Sequence, residues 1–287
     1  MNREYFLSEA LESGIIDDTF IEKYKKFNMY QDLAMGIMRE VHRVCEKNGV
    51  EYFLAFGSLL GAVRDGGQIP WDYDIDICVK ITEREALIRA LKKDLDPAYY
   101  FYCPEVDKNC RHTIMRIAPV GYSSEALHVD VFYMVGLPKD SKEKELVQKK
   151  FISLGRRRYL KKVDCIAESQ GDIKRIAKLT CGKMFSHLFS IEKIDEEYEI
   201  LTHKYPIDQA ERICTADVFA RVTELPAEVL DESILFETRE GVFRVPKKYT
   251  EFLNNRYGDY KQYMPIKDRI NEVLHSYNYL ENYNNKN

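Results

Sequence analysis

The chain has 287 residues, of which 45% are apolar and 31% charged, and its formal net charge is −4 at pH 7. This balance is typical of a globular protein with one large domain or a domain plus an extension, and it does not suggest a nucleic-acid-binding surface. The seven cysteines are scattered and odd in number, which favours a reducing compartment over a disulfide framework. Because the N-terminus is acidic and has no long apolar core, we expect no secretory signal and a cytoplasmic location.

The first part of the chain predicts a helix, a strand and a turn. Apolar residues recur at helical spacing over residues 29–47, and Gly49 follows as a typical C-terminal stop. Residues 50–56 form a nearly continuous apolar run, which indicates a strand buried on both faces. The run breaks at Gly57 and Ser58, where we expect a short helix to begin. Its first backbone N–H groups would form an anion site.

Two acids follow on the next predicted strand, which includes Asp74 and Asp76. Residues two apart on a strand point to the same face, so these carboxylates would stand side by side while Ile75 and Ile77 face the core. Adjacent carboxylates repel each other, and a divalent cation between them relieves the repulsion. Because hard oxygen ligands suit Mg²⁺ or Mn²⁺, the pair predicts a metal site. Asp130, a lone acid in an apolar strand, is the candidate third metal ligand or general base.

The rest of the chain predicts an α+β fold, a mixed β-sheet flanked by helices with a helical C-terminal extension. Further strands are expected at residues 99–103, 111–118 and 127–133, and helices at residues 142–162, 173–189, 194–205 and 246–256. We therefore divide the chain into a catalytic core with N-terminal helices over residues 1–137 and a mainly helical, substrate-binding extension over residues 138–287. This extension includes a short β return segment and a C-terminal helix. The Asn/Tyr-rich tail, residues 276–287, is expected to be frayed.

The order of these elements is also the layout of the nucleotidyltransferase superfamily: a strand, a Gly-Ser turn, a helix, a strand with two acids, and a later acid. Moreover, the run GSLLGAVRDGGQIPWDYDIDI closely resembles the signature of the LicD family, roughly GTLLGAVRHxGFIPWDDDIDI. More weakly, FRVPKKYTEFLNNRYGDY is similar to the family's VP…L…YGD ending. The family includes bacterial phosphocholine transferases and is related to fukutin and the fukutin-related protein.

The resemblance implies a Mg²⁺-dependent phosphotransferase. Family members move a phospho-alcohol from a CDP-activated donor (CDP-choline, CDP-ribitol or CDP-glycerol) to a glycan such as lipopolysaccharide or teichoic acid, and CMP leaves. It implies that Asp74 and Asp76 match the metal-binding acids and that Gly57 and Ser58 match the phosphate-binding turn. Ser58 stands where the family has Thr, which keeps the hydroxyl. Tyr73 replaces the middle of three successive acids and is expected to face away from the metal pair.

Other polar and aromatic residues have open roles. Arg64 lies in the matched signature and is the candidate partner of the donor pyrophosphate, with a surface charge as the alternative. Trp71 either stacks on a base or ring or packs its own turn. Asp72 shares the face of Asp74 and is expected to add negative charge rather than to bind metal directly. The triplet Arg156, Arg157 and Arg158 favours a solvated face or a patch at the inner face of a membrane over substrate contact.

Two other functions remain open. The first is a nucleotidyltransferase that attaches NMP from NTP to a small molecule or protein, because its site would look the same. The second is a non-catalytic protein that binds glycans or nucleotides. The intact acid pair argues against this second reading. Neither the alcohol nor the acceptor glycan follows from the sequence.

Overall fold

The computed structural model describes residues 1–169 and 171–284. The helices are α1 (Arg3–Glu12), α2 (Asp18–Asn48), α3 (Phe56–Leu60), α4 (Arg84–Asp94), α5 (Ser141–Lys162), α6 (Cys165–Ser169), α7 (Ile173–Ser186), α8 (Ile191–His203), α9 (Tyr249–Tyr257) and α10 (Ile266–Asn284). The strands are β1 (Phe53–Leu54), β2 (Ile75–Lys80), β3 (Tyr99–Tyr102), β4 (Met115–Pro119), β5 (Val129–Gly136), β6 (Arg212–Thr215), β7 (Leu225–Pro226), β8 (Ser233–Thr238) and β9 (Gly241–Pro246). The fold is α+β, which confirms the predicted class.

Two compact units make up the chain, and each is built from separate stretches of sequence. The first consists of Met1–Phe101, Arg116–Val131 and Val229–Asn287, and the second of Tyr102–Met115 and Phe132–Glu228. These bounds differ from a division at residues 137 and 138, because the chain returns to the first unit at Val229. Which part binds the substrate stays a prediction.

The strands of the main sheet follow the order β1-β2-β5-β4-β3, and β5 also pairs with β6. In the first unit β1 is antiparallel to β2, with Phe53 opposite Cys78 and Leu54 opposite Ile77. In the second unit the end of β5 is antiparallel to β6, which is antiparallel to β7. Strands β8 and β9 form a separate antiparallel hairpin. All eight residues of β5 are buried, as expected for a strand in the interior of a sheet.

Helix α2 is one continuous helix of 31 residues. It begins after Asp17, whose side chain accepts a hydrogen bond from the N–H of Phe20 at 2.9 Å. It ends at Gly49, which has the left-handed conformation (φ 66°) predicted for the stop. Phe20, Tyr24 and Phe27 extend the apolar face before residue 29 and are buried, so residues 18–28 and the predicted segment 29–47 belong to one helix.

Strand β1 is much shorter than the apolar run predicted. The backbone leaves the strand at Ala55, whose N–H donates to the Asp76 carbonyl at 2.9 Å. Phe56 then adopts φ 44°, a left-handed conformation that is strained for a bulky side chain. The apolar character of residues 52–56 therefore reflects their burial, because only Phe53 and Leu54 belong to the strand.

The C-terminal tail contains a helix, so the prediction of a frayed tail is wrong for residues 276–284. Leu280 is fully buried, and the Tyr279 hydroxyl donates to the Glu125 carbonyl at 2.8 Å. Lys26 of α2 forms an ion pair with Glu281 at 2.6 Å. These contacts tie α10 to the first unit. Residues 285–287 of the predicted tail lie outside the described residues.

Among the helices described, none has both the length and the apolar character needed to cross a bilayer.

Candidate active site

The Gly-Ser turn and the acidic strand meet through a hydrogen bond. The Ser58 hydroxyl accepts the backbone N–H of Asp76 at 2.8 Å, and the Asp76 carbonyl accepts the N–H of Ala55. Ser58 therefore fixes the backbone that carries Asp76. Because β2 begins only at Ile75, Asp76 lies within the strand while Asp74 precedes it. Ile75 and Ile77 are buried and Asp76 is half-buried, as the alternation predicted.

Asp72 lies directly against the turn. A Cβ atom at Gly57 would be only 2.7 Å from Oδ2 of Asp72, so the absence of a side chain at Gly57 permits this approach. The pKa of Asp72 is raised well above its usual value, first by burial and then by the charge of Asp74 and a hydrogen bond with Asp74. The charges of Asp76 and Glu272 raise it further. The charges of Asp74 and Asp76 thus act on Asp72, which lies beside Gly57.

A divalent cation at these carboxylates stays a prediction. Their donors are the hard oxygens that such cations prefer, and a cation would relieve the repulsion that contributes to the raised pKa of Asp72. Within residues 1–169 and 171–284, no group of three or more His, Cys, Asp or Glu side chains is placed so that it could hold a metal ion by itself. Such incompleteness is normal for Mg²⁺ in phosphoryl-transfer sites, which one or two carboxylates hold together with substrate phosphates and water.

Asp130 lies in a charged group on β4 and β5. Nε of Arg116 donates to Asp130 at 2.9 Å, and Nη1 donates to Glu125 at 2.7 Å. His128 Nε2 is 3.3 Å from the Asp130 carboxylate. Burial by itself would lower the pKa of Arg116, but the charges of Asp130 and Glu125 raise it above its usual value. The guanidinium of Arg116 therefore lies beside the Asp130 carboxylate and orients it through this hydrogen bond.

The charges of Asp74 and of the Asp130–Arg116 pair both act on Tyr73. Burial raises the pKa of Tyr73 well above its usual value, and the charges of Asp74 and Asp130 raise it further while Arg116 lowers it. Its ring makes an edge-to-face contact with Phe27 at 6.5 Å between centroids. Tyr73 thus packs as an aromatic residue where the resembling family has an acid, and it lies within range of both acidic groups.

Arg64 and Trp71 are held in a separate cluster. The guanidinium of Arg64 donates to the Asp65 carboxylate at 2.8 Å and lies 4.5 Å from the ring centre of Tyr263. Trp71 is only 5% exposed and contacts Phe6 and Tyr263. These contacts pack the turn of Trp71 against Phe6 of α1 and against Tyr263. The predicted roles of Arg64 at the pyrophosphate and Trp71 at a base stay predictions.

The loop between the turn and β2 is braced by the β8–β9 hairpin. The N–H of Arg239 donates to the Gly66 carbonyl at 2.9 Å, and Glu240 accepts the N–H of Gln68 at 3.3 Å. Gly61 allows close packing here, because a Cβ atom would lie 2.6 Å from the Gly67 carbonyl oxygen. The signature glycines therefore shape the loop that delivers Asp72 and Asp74.

Sequence reasoning missed two residues near the carboxylates. Tyr257 is 38% exposed, and its partial desolvation together with the charges of Asp72, Asp74 and Asp76 raises its pKa to about 12. Tyr257 belongs to the YGD ending noted above, so a signal was present. Glu272 on α10 had no such signal, because nothing in the sequence indicates that α10 approaches the acidic strand.

Comparisons with known proteins agree with this architecture. The family described as "LicD/FKTN/FKRP, nucleotidyltransferase domain" matches residues 49–198. The lipopolysaccharide cholinephosphotransferase LicD of Haemophilus influenzae is 27% identical over 255 residues, which cover 83% of this chain and 92% of that protein. The human ribitol 5-phosphate transferase FKRP is 51% identical over 45 residues, 16% of this chain and 9% of that protein. The uncharacterized protein RP689 of Rickettsia prowazekii is 35% identical over 78 residues, 25% of this chain and 27% of that protein. The chain belongs to the LicD/FKTN/FKRP nucleotidyltransferase-domain family.

Proposed function

We propose that the chain transfers a phospho-alcohol from a CDP-linked donor to a hydroxyl of a cell-surface glycan. The observation that supports this most strongly is the carboxylate group of Asp72, Asp74 and Asp76 packed beside Gly57 and Ser58. The names of the relatives support the same chemistry, since two of them transfer phosphocholine or ribitol phosphate. We place the reaction in the cytoplasm, at the inner face of the membrane.

In this proposal the turn and the acidic strand bind the donor. Half-buried Gly57 leaves its backbone accessible to a phosphate, and Ser58 keeps the backbone of Asp76 in place through its accepted hydrogen bond. Mg²⁺ or Mn²⁺ held by Asp74 and Asp76 would neutralise charge on the pyrophosphate. Asp72 adds a third carboxylate to this site, and the repulsion among the three acids favours the binding of a cation.

The acceptor is activated by a carboxylate. Asp130 takes the proton of the glycan hydroxyl, and the hydroxyl oxygen forms a bond to the phosphorus that carries the alcohol. The bond from that phosphorus to the CMP oxygen breaks, and CMP leaves. Arg116 holds the Asp130 carboxylate through the 2.9 Å hydrogen bond. Positioning and charge neutralisation provide most of the acceleration in such reactions, so each acid contributes several kcal/mol.

The products distinguish this function from its rival. The experiment incubates the purified chain and Mg²⁺ with CDP-choline, CDP-ribitol or CDP-glycerol, and in parallel with each of the four NTPs, and separates the nucleotides by chromatography. The proposal expects CMP from at least one CDP-alcohol, through transfer or slow hydrolysis, and no pyrophosphate from NTPs. Pyrophosphate release without CMP release would assign the chain to the nucleotidyltransferases.

A second experiment tests the non-catalytic alternative. Mg²⁺ binding is titrated calorimetrically in the wild type and in Asp74→Asn, with the CDP-alcohol present. The proposal expects the substitution to weaken metal binding at least ten-fold. Equal affinities would mean that the acids do not hold the metal.

A further inference from the structure

Helix α7 of the second unit packs through one face only. Ser186 is 1% exposed, and Gly182 lies against Leu160 of α5, where a Cβ atom would be 3.1 Å from the leucine methyl carbons. Lys183 turns its ammonium group towards α5 and donates to the Val163 carbonyl at 2.8 Å. These residues define the inward face of the helix.

The outward face of α7 is apolar rather than polar. It contains Ile173, Ala177, Cys181 and Met184, at intervals of four, four and three residues, and Leu188 follows in the turn just after the helix ends at Ser186. This is the spacing of one stripe along a helix. Ile173 is 79% exposed, Met184 69% and Leu188 75%, although exposed positions on a surface helix are normally polar. A second apolar stripe therefore lies opposite the face that packs on the protein.

The charge around the stripe has a single sign. Residues 173–189 contain four Lys or Arg residues and no Asp or Glu. Lys174 and Lys178 are exposed beside the stripe, and neither forms an ion pair with any residue in the described part of the chain. The next helix, α8, differs sharply, because its 13 residues include one Asp and four Glu. Residues 173–189 therefore contribute positive charge only, while Asp172 caps the first turn of α7.

These features fit an anionic lipid surface. An interfacial helix has an apolar stripe that enters the boundary between headgroups and acyl chains, and lysines beside it reach the headgroups. A second copy of this chain is a poorer occupant, because two identical stripes would bring lysines of like charge together. We propose that the outward face of α7 docks on an anionic bilayer, with Ile173, Met184 and Leu188 inserted and Lys174 and Lys178 at the headgroups.

This surface replaces the membrane patch suggested by the arginine triplet. Arg158 is 1% exposed and is paired with Asp195, and the guanidinium of Arg157 lies 4.0 Å above the ring of Phe189. Of the three arginines, only Arg156 is fully exposed. Docking through α7 concerns binding alone and does not depend on the proposed transfer reaction.

Vesicle co-sedimentation tests the proposal. The full chain is mixed with vesicles of phosphatidylcholine alone or of equal parts phosphatidylcholine and phosphatidylglycerol, at low and at physiological salt. We expect binding only to the anionic vesicles, weakened by salt. Lys174→Gln with Lys178→Gln should weaken binding about 30-fold, from about five-fold per lysine. Met184→Ser with Leu188→Ser should weaken it at least about ten-fold.

Matched controls separate docking from general charge or hydrophobicity. Lys92→Gln with Lys267→Gln removes the same charge from exposed sites of the first unit, and Ile200→Ser removes a 63% exposed apolar side chain from α8. Both controls should bind vesicles like the wild type, and all variants should keep its circular dichroism spectrum. No binding to anionic vesicles, or equal loss in variants and controls, would overturn the proposal. A concentration-dependent dimer that Met184→Ser with Leu188→Ser abolishes, without vesicle binding, would assign the stripe to self-association instead.

Discussion

Gly57→Ala is expected to impair catalysis without unfolding the protein. The new Cβ atom would lie 2.7 Å from Oδ2 of Asp72, which is closer than carbon and oxygen atoms approach. The carboxylate must therefore move by on the order of half an ångström, out of its arrangement with Asp74. A misplacement of about 1 Å can cost about 100-fold in rate where a reaction depends on positioning, so a shift of half that size is expected to cost about 10-fold. Stability should change by less than about 1 kcal/mol, because Ala favours a helix over Gly and only a side-chain end is displaced.

The assay measures CMP release at saturating Mg²⁺ together with thermal unfolding. Gly36→Ala in α2 is the matched control, since its Cβ atom would meet the Tyr99 hydroxyl at 3.5 Å, an ordinary contact. We expect the control to keep full activity and equal or higher stability. If Gly57→Ala turns over like Gly36→Ala, the carboxylate at Asp72 has no bearing on catalysis and the reasoning fails.

Three further predictions concern hydrogen bonds and charges. Ser58→Ala leaves the N–H of Asp76 without its acceptor at 2.8 Å. The substitution should lower the free energy of unfolding by about 1–2 kcal/mol and should also lower the rate of CMP release. Ser58→Thr, which keeps the hydroxyl, should restore both. If Ser58→Ala matches the wild type in denaturant melts and turnover, the hydroxyl does not position the strand. Arg158→Ala removes a buried side chain that is paired with the exposed Asp195 and should cost about 2 kcal/mol in urea unfolding, mainly through lost packing. Arg156→Ala, at an exposed site, should cost less than about 0.5 kcal/mol, and similar losses would contradict the burial of Arg158. Burial lowers the pKa of His42 in the folded protein, so the unfolded chain binds more protons and stability is lost as the pH falls below about 6.5. His42→Gln should flatten this dependence in unfolding measured between about pH 5 and 7, and an unchanged slope would exclude His42 as its source.

The sequence predicts the acidic strand well because its signal is local. The alternation at Ile75, Asp76 and Ile77 depends only on the period of a strand, and the structure shows it. The end of α2 at Gly49 is local in the same way, because only a residue that tolerates positive φ adopts this conformation without strain. Residue spacing therefore predicts the alternation of the acidic strand and the end of the helix, while the roles of the site residues stay predictions.

The parts that failed depend on contacts between distant stretches. An Asn/Tyr-rich tail has little intrinsic order, yet α10 is stabilised by contacts with α2 and with Glu125, about 150 residues away. The same packing brings Glu272 close enough to influence Asp72. The role of Ser58 was also incomplete, because the hydroxyl acceptor for the N–H of Asp76 is seen only when the turn is placed on β2.

Asp76→Asn tests the central claim most directly, because this residue lies on the strand that Ser58 holds. The measurement is Mg²⁺-dependent CMP release from the best CDP-alcohol, with folding verified by circular dichroism. We predict a loss of at least about 100-fold at unchanged secondary structure, since the acid contributes several kcal/mol through charge neutralisation. Turnover close to that of the wild type would show that the acidic strand does not perform the transfer.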